Sequence, residues 1–297
     1  STVECAACHN DVTGEMTSVV MPSGVELMGL GDESRCIQCH QGRNSTVQVN
    51  AGIEEAGLAG EENLDTVSED IGFSNIHYYA AAATQFGTAA MGGYEYDGKS
   101  YDSKFDHVEG YDTCIDCHNS HTLEVQFDDC VQCHEGLTSS EALVDIRMAG
   151  SLVDYNGNGD MEEGIYAEIE GLREMLYQAM EAYSSEVAGS QIVYDAASYP
   201  YFFDDAGERY GSWTPRLAQA AYNYQTSLKD PGRYAHGGKY IIQLLYDSTE
   251  SLNEAISTPV DLSAAHRIDH GHFAGSEEAF RHWDEDGAVP GSCSKCH

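Results

Sequence analysis

Basic residues are scarce in this sequence, which has 14 Lys and Arg against 50 Asp and Glu, a formal net charge of −36. Binding to nucleic acid or anionic lipid depends on Lys and Arg facing phosphates, so this balance excludes such partners. Long apolar runs are also missing, because no stretch reaches the roughly 18 apolar residues that a membrane-spanning helix needs. Proline is rare, with 6 residues, but 19 Tyr and 8 Phe can supply buried surface, which favours a folded chain over a disordered one.

No cysteine stands outside one repeated pattern. The 10 Cys form five motifs, which are Cys5-Ala-Ala-Cys8-His9, Cys36-Ile-Gln-Cys39-His40, Cys114-Ile-Asp-Cys117-His118, Cys130-Val-Gln-Cys133-His134 and Cys293-Ser-Lys-Cys296-His297. Cys-x-x-Cys-His is the attachment motif of haem c: the two thiols form thioethers with the porphyrin vinyl groups, and the adjacent His binds the iron. Zinc sites of four cysteines require no His after each pair, and redox-active pairs do not come in fives. The motifs therefore predict five haems c, with proximal iron ligands His9, His40, His118, His134 and His297.

Five six-coordinate irons need five further ligands, and eight histidines remain outside the motifs. We predict that the five distal ligands come from His77, His107, His121, His236, His272 and His282, and we rank His266 and His270 below them. Methionine is the alternative ligand, but Met fills protein cores far more often than it binds iron. His121 follows His118 too closely to reach the opposite face of the same iron, so we expect it to serve a neighbouring haem.

Composition divides the chain into three segments: residues 1–135 with four motifs, 136–260 without cysteine, and 261–297 with the fifth motif. The first segment is Gly-rich and weakly periodic, so we expect haems to form its core. Within it, Asp97-Gly98 between alternating aromatics predicts a short β-hairpin near 94–101, and a short helix is expected over 76–86 with His77 at its start. The predicted fold class is a mostly irregular multihaem cytochrome c with several α-helices and minimal β-structure.

Three helices are predicted in the second segment. Apolar residues recur at helical spacing from Ile165 to Val187. Thr214-Pro215, an N-cap followed by Pro at the first helical position, begins a second helix that Asp230-Pro231-Gly232 ends. The third helix is expected from about Lys239 to Ile256, with His236 just before it. The simplest interpretation is a small helical core. A further interpretation is that these helices pack around one haem, whose iron His236 binds.

A loop before the first of these helices combines carboxylate and amide side chains with glycine. Its oxygen-bearing residues fall at the first, third, fifth and seventh positions of a calcium-loop pattern, and Gly159 falls at the sixth. Position 12 is Ile165 rather than Glu, which excludes a complete EF-hand, so a nearby Glu has to substitute. The alternative is an Asn/Gly turn before an acidic helix start. The calcium interpretation gives as ligands Asp154, Asn156, Asn158, Asp160 and Glu163.

Three stretches of the first segment carry a family resemblance: Cys36–Arg43 (CIQCHQGR), Asn75–Val108, and Cys114–Val125 (CIDCHNSHTLEV). They resemble the extracellular multihaem c-type cytochromes of metal-reducing and related microbes, some of which polymerise into conducting filaments. The family's usual CHNPH reads CHNSH here. Residues 213–248 and 272–297 are similar to larger polyhaem cytochromes of the same broad group. The resemblance implies that the distal iron ligands include His77, His107 and His121.

Motifs and resemblance together predict electron transfer through five mainly bis-His haems, without enzymatic activity, in a polymerising filament subunit. Haem c is attached after export, and we interpret the start at Ser1, without Met or an apolar leader, as removal of a signal peptide. The expected location is extracellular or at the cell surface. Redox partner proteins, extracellular electron acceptors and further copies of the chain are the expected partners. A soluble periplasmic or surface carrier is the alternative, and a multihaem reductase is a weaker one because spare histidines are plentiful.

Overall fold

The computed structural model describes residues 4–108, 110–147 and 151–269. Its helices are α1 (Cys5–Cys8), α2 (Ser34–His40), α3 (Thr46–Glu55), α4 (Ala81–Gln85), α5 (Cys114–Cys117), α6 (Phe127–Cys130), α7 (Ile165–Glu186), α8 (Pro215–Lys229) and α9 (Arg233–Asn253). Two antiparallel pairs of strands accompany them, β1 (Ser18–Val20) with β2 (Glu26–Met28) and β3 (Val193–Tyr194) with β4 (Phe202–Phe203). The predicted combination of several helices with minimal β-structure is confirmed.

Helices α7, α8 and α9 pack against one another and form the main apolar core. The apolar stripe predicted from Ile165 coincides with α7, whose Leu172 and Leu176 are fully buried. Helix α8 begins as predicted, because the Thr214 hydroxyl accepts a hydrogen bond from the Leu217 N–H at 3.1 Å and Pro215 occupies the first turn. Every residue of α8 except Leu228 is buried, so this helix lies at the centre of the molecule.

The predicted start of α9 is wrong. The helix begins at Arg233 rather than near Lys239, and it is interrupted by a kink at Gly237 (φ −171°, ψ 57°), so His236 lies inside the first turns. The kink has a packing cause: a Cβ on Gly237 would lie 2.2 Å from the carbonyl oxygen of Thr84, which comes from α4. Glycine therefore allows α4 and α9 to approach closely beside His236.

The predicted hairpin at 94–101 is also wrong, because a turn forms there without a strand ladder. Of the two central residues only Gly98 has positive φ (76°), whereas a type I′ turn requires it at both. The backbone of Tyr94 bonds to a side chain instead of an opposite strand. Its N–H donates to Asn223 Oδ1 at 2.7 Å, and its carbonyl accepts from Asn223 Nδ2 at 2.9 Å.

The helix predicted over 76–86 is shorter than expected. Helix α4 begins only at Ala81, because His77 (φ 79°) and Tyr79 (φ 55°) adopt left-handed backbone conformations that a helix excludes. The Tyr79 N–H donates to the carbonyl of Lys229 at 2.6 Å, which ties this bend to the end of α8.

Apolar clusters join the first and second predicted segments. Ile71 and Tyr101 belong to the main core with α7–α9, and Val49 and Ile76 pack in a smaller cluster with Tyr222 of α8. The division into three segments and the haem core stay predictions. None of the helices in the described ranges combines the length and hydropathy needed to cross a bilayer.

Candidate functional site

Four of the five cysteine motifs lie in the described residues. The first three lie on helices α1, α2 and α5, and the fourth begins at the last residue of α6 and continues as a hydrogen-bonded turn. In three of them the histidine N–H donates to the carbonyl of the first cysteine, as from His9 to Cys5 at 2.8 Å and from His118 to Cys114 and His134 to Cys130 at 2.9 Å. A helical turn brings positions i, i+3 and i+4 to one side, so both thiols and the imidazole face the same way. The eight described cysteines have free thiols and are exposed or half-buried. Their arrangement fits haem attachment.

Each of three motif histidines faces a second histidine from elsewhere in the chain. His9 lies opposite His121 with ring centres 6.3 Å apart and an interplanar angle of 16°. The other two pairs are His118 with His236, at 6.3 Å and 44°, and His134 with His107, at 5.9 Å and 39°. The structure thus brings His107, His121 and His236 to motif histidines.

These separations match the geometry of two imidazoles bound to one metal ion. Metal–imidazole bonds are about 2 Å long and a ring nitrogen lies about 1 Å from the ring centre, so rings on opposite faces of one iron have centres about 6 Å apart. Direct ring stacking would need no such gap. The donor chemistry therefore fits bis-His haem c at all three places, and the assignment of each iron ligand stays a prediction.

Burial favours the neutral imidazole at two of these pairs. It lowers the pKa of His118 and also that of His107, to which the neighbouring His134 contributes in the same direction. The neutral ring is the form that binds a metal ion, so this electrostatic environment supports ligation.

His236 differs, because a carboxylate contacts its ring. Burial opposes the charged form of each partner, but the Asp230 carboxylate raises the pKa of His236 and the imidazole in turn lowers the pKa of Asp230. His236 Nδ1 lies 2.8 Å from Asp230 Oδ2, and the Asp230 side chain is only 2% exposed. This carboxylate was missed in the sequence, where Asp230-Pro231-Gly232 carries only the signal of a helix end.

The structure gives the remaining predicted ligands other contacts than a facing histidine. His40 Nδ1 lies 2.7 Å from the Tyr79 carbonyl oxygen, which leaves Nε2 for a metal ion. His77 contacts the Tyr78 ring, and the structure does not place it against a motif histidine in the described part of the chain. His266, ranked lower, is exposed and its Nδ1 lies 2.8 Å from the Asp154 carbonyl oxygen. The other predicted site residues lie outside the described residues: His270, His272, His282, Cys293, Cys296 and His297.

The third motif lies beside two others. The Cys114 thiol lowers the pKa of Cys36 and the Cys36 thiol raises that of Cys114, so the second and third motifs lie side by side. Burial raises the pKa of Cys117, and the nearby Cys130 of the fourth motif adds to this effect. His121, which faces His9 of the first motif, follows the third motif in the chain. The third motif is therefore central among the four.

The predicted calcium loop is closed by its own hydrogen bonds. The two carboxylate oxygens of Asp154 accept from backbone N–H groups, at 2.6 Å for Gly157 and 2.5 Å for Gly159. Glu163 Oε1 accepts from the amide groups of Asn156 and Asn158, at 2.6 and 3.0 Å. Within the described ranges, no group of three or more His, Cys, Asp or Glu side chains has a metal-binding arrangement. Calcium binding stays a prediction.

Two curated proteins resemble this chain over most of its length. The C-type polyheme cytochrome OmcB of Geobacter sulfurreducens is 25% identical over 288 residues, which cover 84% of this chain and 34% of that protein. The C-type polyheme cytochrome OmcC of the same species is 26% identical over 278 residues, covering 79% and 32%. This chain is related to the polyhaem c-type cytochromes.

The homology to polyhaem cytochromes covers only part of the larger proteins, since the chain spans about a third of the length of these curated relatives. Both relatives are named as cytochromes and neither name states an enzymatic activity, which is consistent with the predicted role in electron transfer. No family model matches the chain, and no solved structure matches it significantly. Haem c as the cofactor therefore has support from the motifs, the histidine geometry and the relatives.

Proposed function

We propose that this polyhaem cytochrome relative transfers electrons through haems c bound at its five motifs, with three of the irons held between His9 and His121, His118 and His236, and His134 and His107. The observation that carries the proposal is the spacing of about 6 Å between ring centres in each pair. Haem, when bound, supplies a one-electron redox couple. The chain's own histidines hold the iron on both faces and leave no position for a substrate, which favours electron transfer over catalysis.

The position of the third motif supports a continuous path between redox centres. Its thiols lie near those of the second and fourth motifs, while the segment that follows it reaches the first through His121. Close spacing is what electron tunnelling between haems requires. We therefore propose that electrons pass through the haem at the third motif on the way between the others.

His121→Ala tests the ligand assignment. We expect one haem to lose its sixth ligand, which produces a high-spin signal in electron paramagnetic resonance and carbon monoxide binding by the reduced protein. Thr122→Ala, a change at the adjacent exposed residue, is the matched control and keeps all haems low-spin. Low-spin haems throughout in His121→Ala would contradict the proposed pair.

The proposal also covers the haem count, the remaining iron ligands, the location and the assembly of the protein. We propose five haems at or beyond the cell surface in a homopolymeric filament, with His40 and His297 as the remaining proximal ligands and two of His77, His272 and His282 as the remaining distal ligands. The net charge of −36 argues against nucleic-acid and anionic-lipid partners and leaves redox proteins or external acceptors. Mass spectrometry gives the haem count. Electron microscopy of native material distinguishes filaments from discrete particles, and particles alone would favour the soluble carrier.

Calcium is a separate part of the proposal. The loop from Asp154 to Glu163 collects carboxylate and amide oxygens that calcium prefers, and the ion would offset part of the acidic charge. Calorimetric titration of the intact protein with calcium tests it, and Asp160→Asn is the variant expected to weaken binding. No heat of binding in the unaltered protein would exclude the site.

A further inference from the structure

A buried carboxylate fixes the ring of one proposed iron ligand. Asp230 lies between α8 and α9, and its two oxygens are 3.0 and 2.8 Å from Nδ1 of His236. The carboxylate is held in place from another direction, because Oδ1 also accepts from the Gly232 N–H at 3.0 Å, and Thr84 lies near enough to help lower the pKa of Asp230. Such a fixed acceptor makes Nδ1 the protonated nitrogen and leaves Nε2 to bind the metal ion.

Glycine completes this arrangement by letting the imidazole pack against the backbone. A Cβ on Gly232 would lie 2.5 Å from Cε1 of His236, so any other residue would displace the ring. The kink at Gly237 allows the Thr84 backbone to approach from the other side. The local sequence from Asp230 to Gly237 therefore sets both the orientation and the hydrogen bonding of one imidazole.

Other histidines in the described residues have neutral partners. His40 and His266 place Nδ1 against the backbone carbonyls of Tyr79 and Asp154, at 2.7 and 2.8 Å. His236 thus has a negatively charged acceptor where these rings have an uncharged one.

We propose that Asp230 is a positioning residue that lowers the reduction potential of the haem bound between His118 and His236, below that of the haem held by His40; this inference rests on the proposed function. A carboxylate that accepts the Nδ1 proton makes the imidazole a stronger electron donor. Its charge also stabilises the oxidised iron, which carries one more positive charge than the reduced iron, and burial strengthens that interaction. Because the third motif is central, this haem is a low-potential step in the electron path.

Asp230→Asn in the full haem-loaded protein tests the inference, since Asn keeps the size and one acceptor oxygen but removes the charge. We expect the reduction potential of one haem to rise by at least about 59 mV, which corresponds to a tenfold change in the oxidised-to-reduced ratio of a one-electron couple. The potentials are read by spectroelectrochemical titration, and all haems stay low-spin. Asp247→Asn is the matched control, because that carboxylate is equally buried but pairs with Arg267 and Lys99.

Thr84→Val provides a second test with the opposite sign, in case Asp230→Asn fails to fold. Loss of the Thr84 hydroxyl leaves more of the carboxylate charge for His236, so the same potential should fall. Unchanged potentials in both variants would overturn the role of Asp230. If His236→Ala gives one high-spin haem in the same experiments, the ligand assignment survives that failure, and if it leaves every haem low-spin, the proposed function fails at this pair.

Discussion

Residues 102–147 and helix α8 lie in the same molecule but bury very different amounts of side chain. None of the described residues between 102 and 147 is buried, although this stretch contains two haem motifs and closes several backbone hydrogen bonds. In α8 every residue except Leu228 is buried. The difference shows that the helices have a core of their own, whereas the motif-bearing stretch has turns without one. We infer that the motif-bearing stretch depends on bound porphyrin for its apolar contacts.

Removing haem should have the largest effect on the difference in structure between these two regions. Expression without the haem-attachment machinery gives the apo-protein, in which we expect residues 114–134 to lose their structure because no buried side chains hold them. Helices α7–α9 should stay folded on their apolar core. Hydrogen exchange measures both regions at once. Equal protection in the two regions of the apo-protein would contradict the inferred dependence on haem.

Core truncation is the next largest effect. Leu176 is fully buried in α7, so Leu176→Ala should lower the free energy of unfolding by about 2–5 kcal/mol through lost contacts and a cavity. Leu123, which is 61% exposed and follows the third motif, is the matched control. Leu123→Ala should change stability by less than about 0.5 kcal/mol in denaturant unfolding followed by circular dichroism. A larger cost at Leu123 in the haem-loaded protein would reveal that a bound group covers it.

High pH should weaken the helical core selectively. Burial raises the pKa of Tyr224 to about 12. Below the ordinary tyrosine pKa of about 10 both folded and unfolded chains keep the proton, so stability is complete. Between about 10 and 12 only the unfolded chain releases it, and stability falls by up to about 1.4 kcal/mol per pH unit.

The unfolding free energy measured against pH checks this expectation. Tyr224→Phe should reduce the slope above pH 10, because the titrating hydroxyl is gone. Tyr199→Phe, a change at a residue that is 79% exposed, should leave the slope unaltered. Identical slopes in the two variants would show that Tyr224 does not contribute to alkaline unfolding.

Helix caps give the smallest effect and compare α8 with α3, a helix of the first segment. Thr214 caps α8 and also lies 2.9 Å from the Tyr183 hydroxyl, whereas Ser45 caps α3 by accepting from the Val47 N–H at 3.2 Å. Thr214→Ala should cost about 1–2 kcal/mol and Ser45→Ala about 0.5–1 kcal/mol in thermal unfolding. The opposite order would contradict the larger contribution expected of the Thr214 cap.

Local signals in the sequence predicted the helical core well. The apolar spacing from Ile165 and the Thr214-Pro215 start depend only on neighbours in the chain, and both correspond to helices α7 and α8. The hairpin at 94–101 failed because Asn223, more than a hundred residues away, supplies the hydrogen bonds that a second strand would provide. The start of α9 was missed because glycine in a sequence usually indicates the end of a helix. Here Gly237 only kinks the helix, because the backbone of Thr84 packs closely against it.

Of the candidate site, too, the sequence predicted the local features but not the long-range contacts. The motifs give haem attachment from spacing alone, since thiols and imidazole lie within one helical turn. Pairing of the histidines was beyond sequence reasoning, because His107, His121 and His236 reach their partners only through the tertiary fold. Asp230 was missed for a related reason: the side chain acts through a ring six residues later, around a helix end that has its own sequence signal.

The side chain of Asn223 holds the backbone of Tyr94, so the peptide bonds of the turn that follows are not needed to keep this segment in place. The amide holds both backbone groups of Tyr94, and Tyr96 and Lys99 on either side of the tip bond to Ser248 and Glu250 of α9. Asp97 and Gly98 are exposed. A protease that cut between them would leave two fragments that remain associated, and the same peptide bond is a place where new chain ends or an inserted peptide tag should be tolerated.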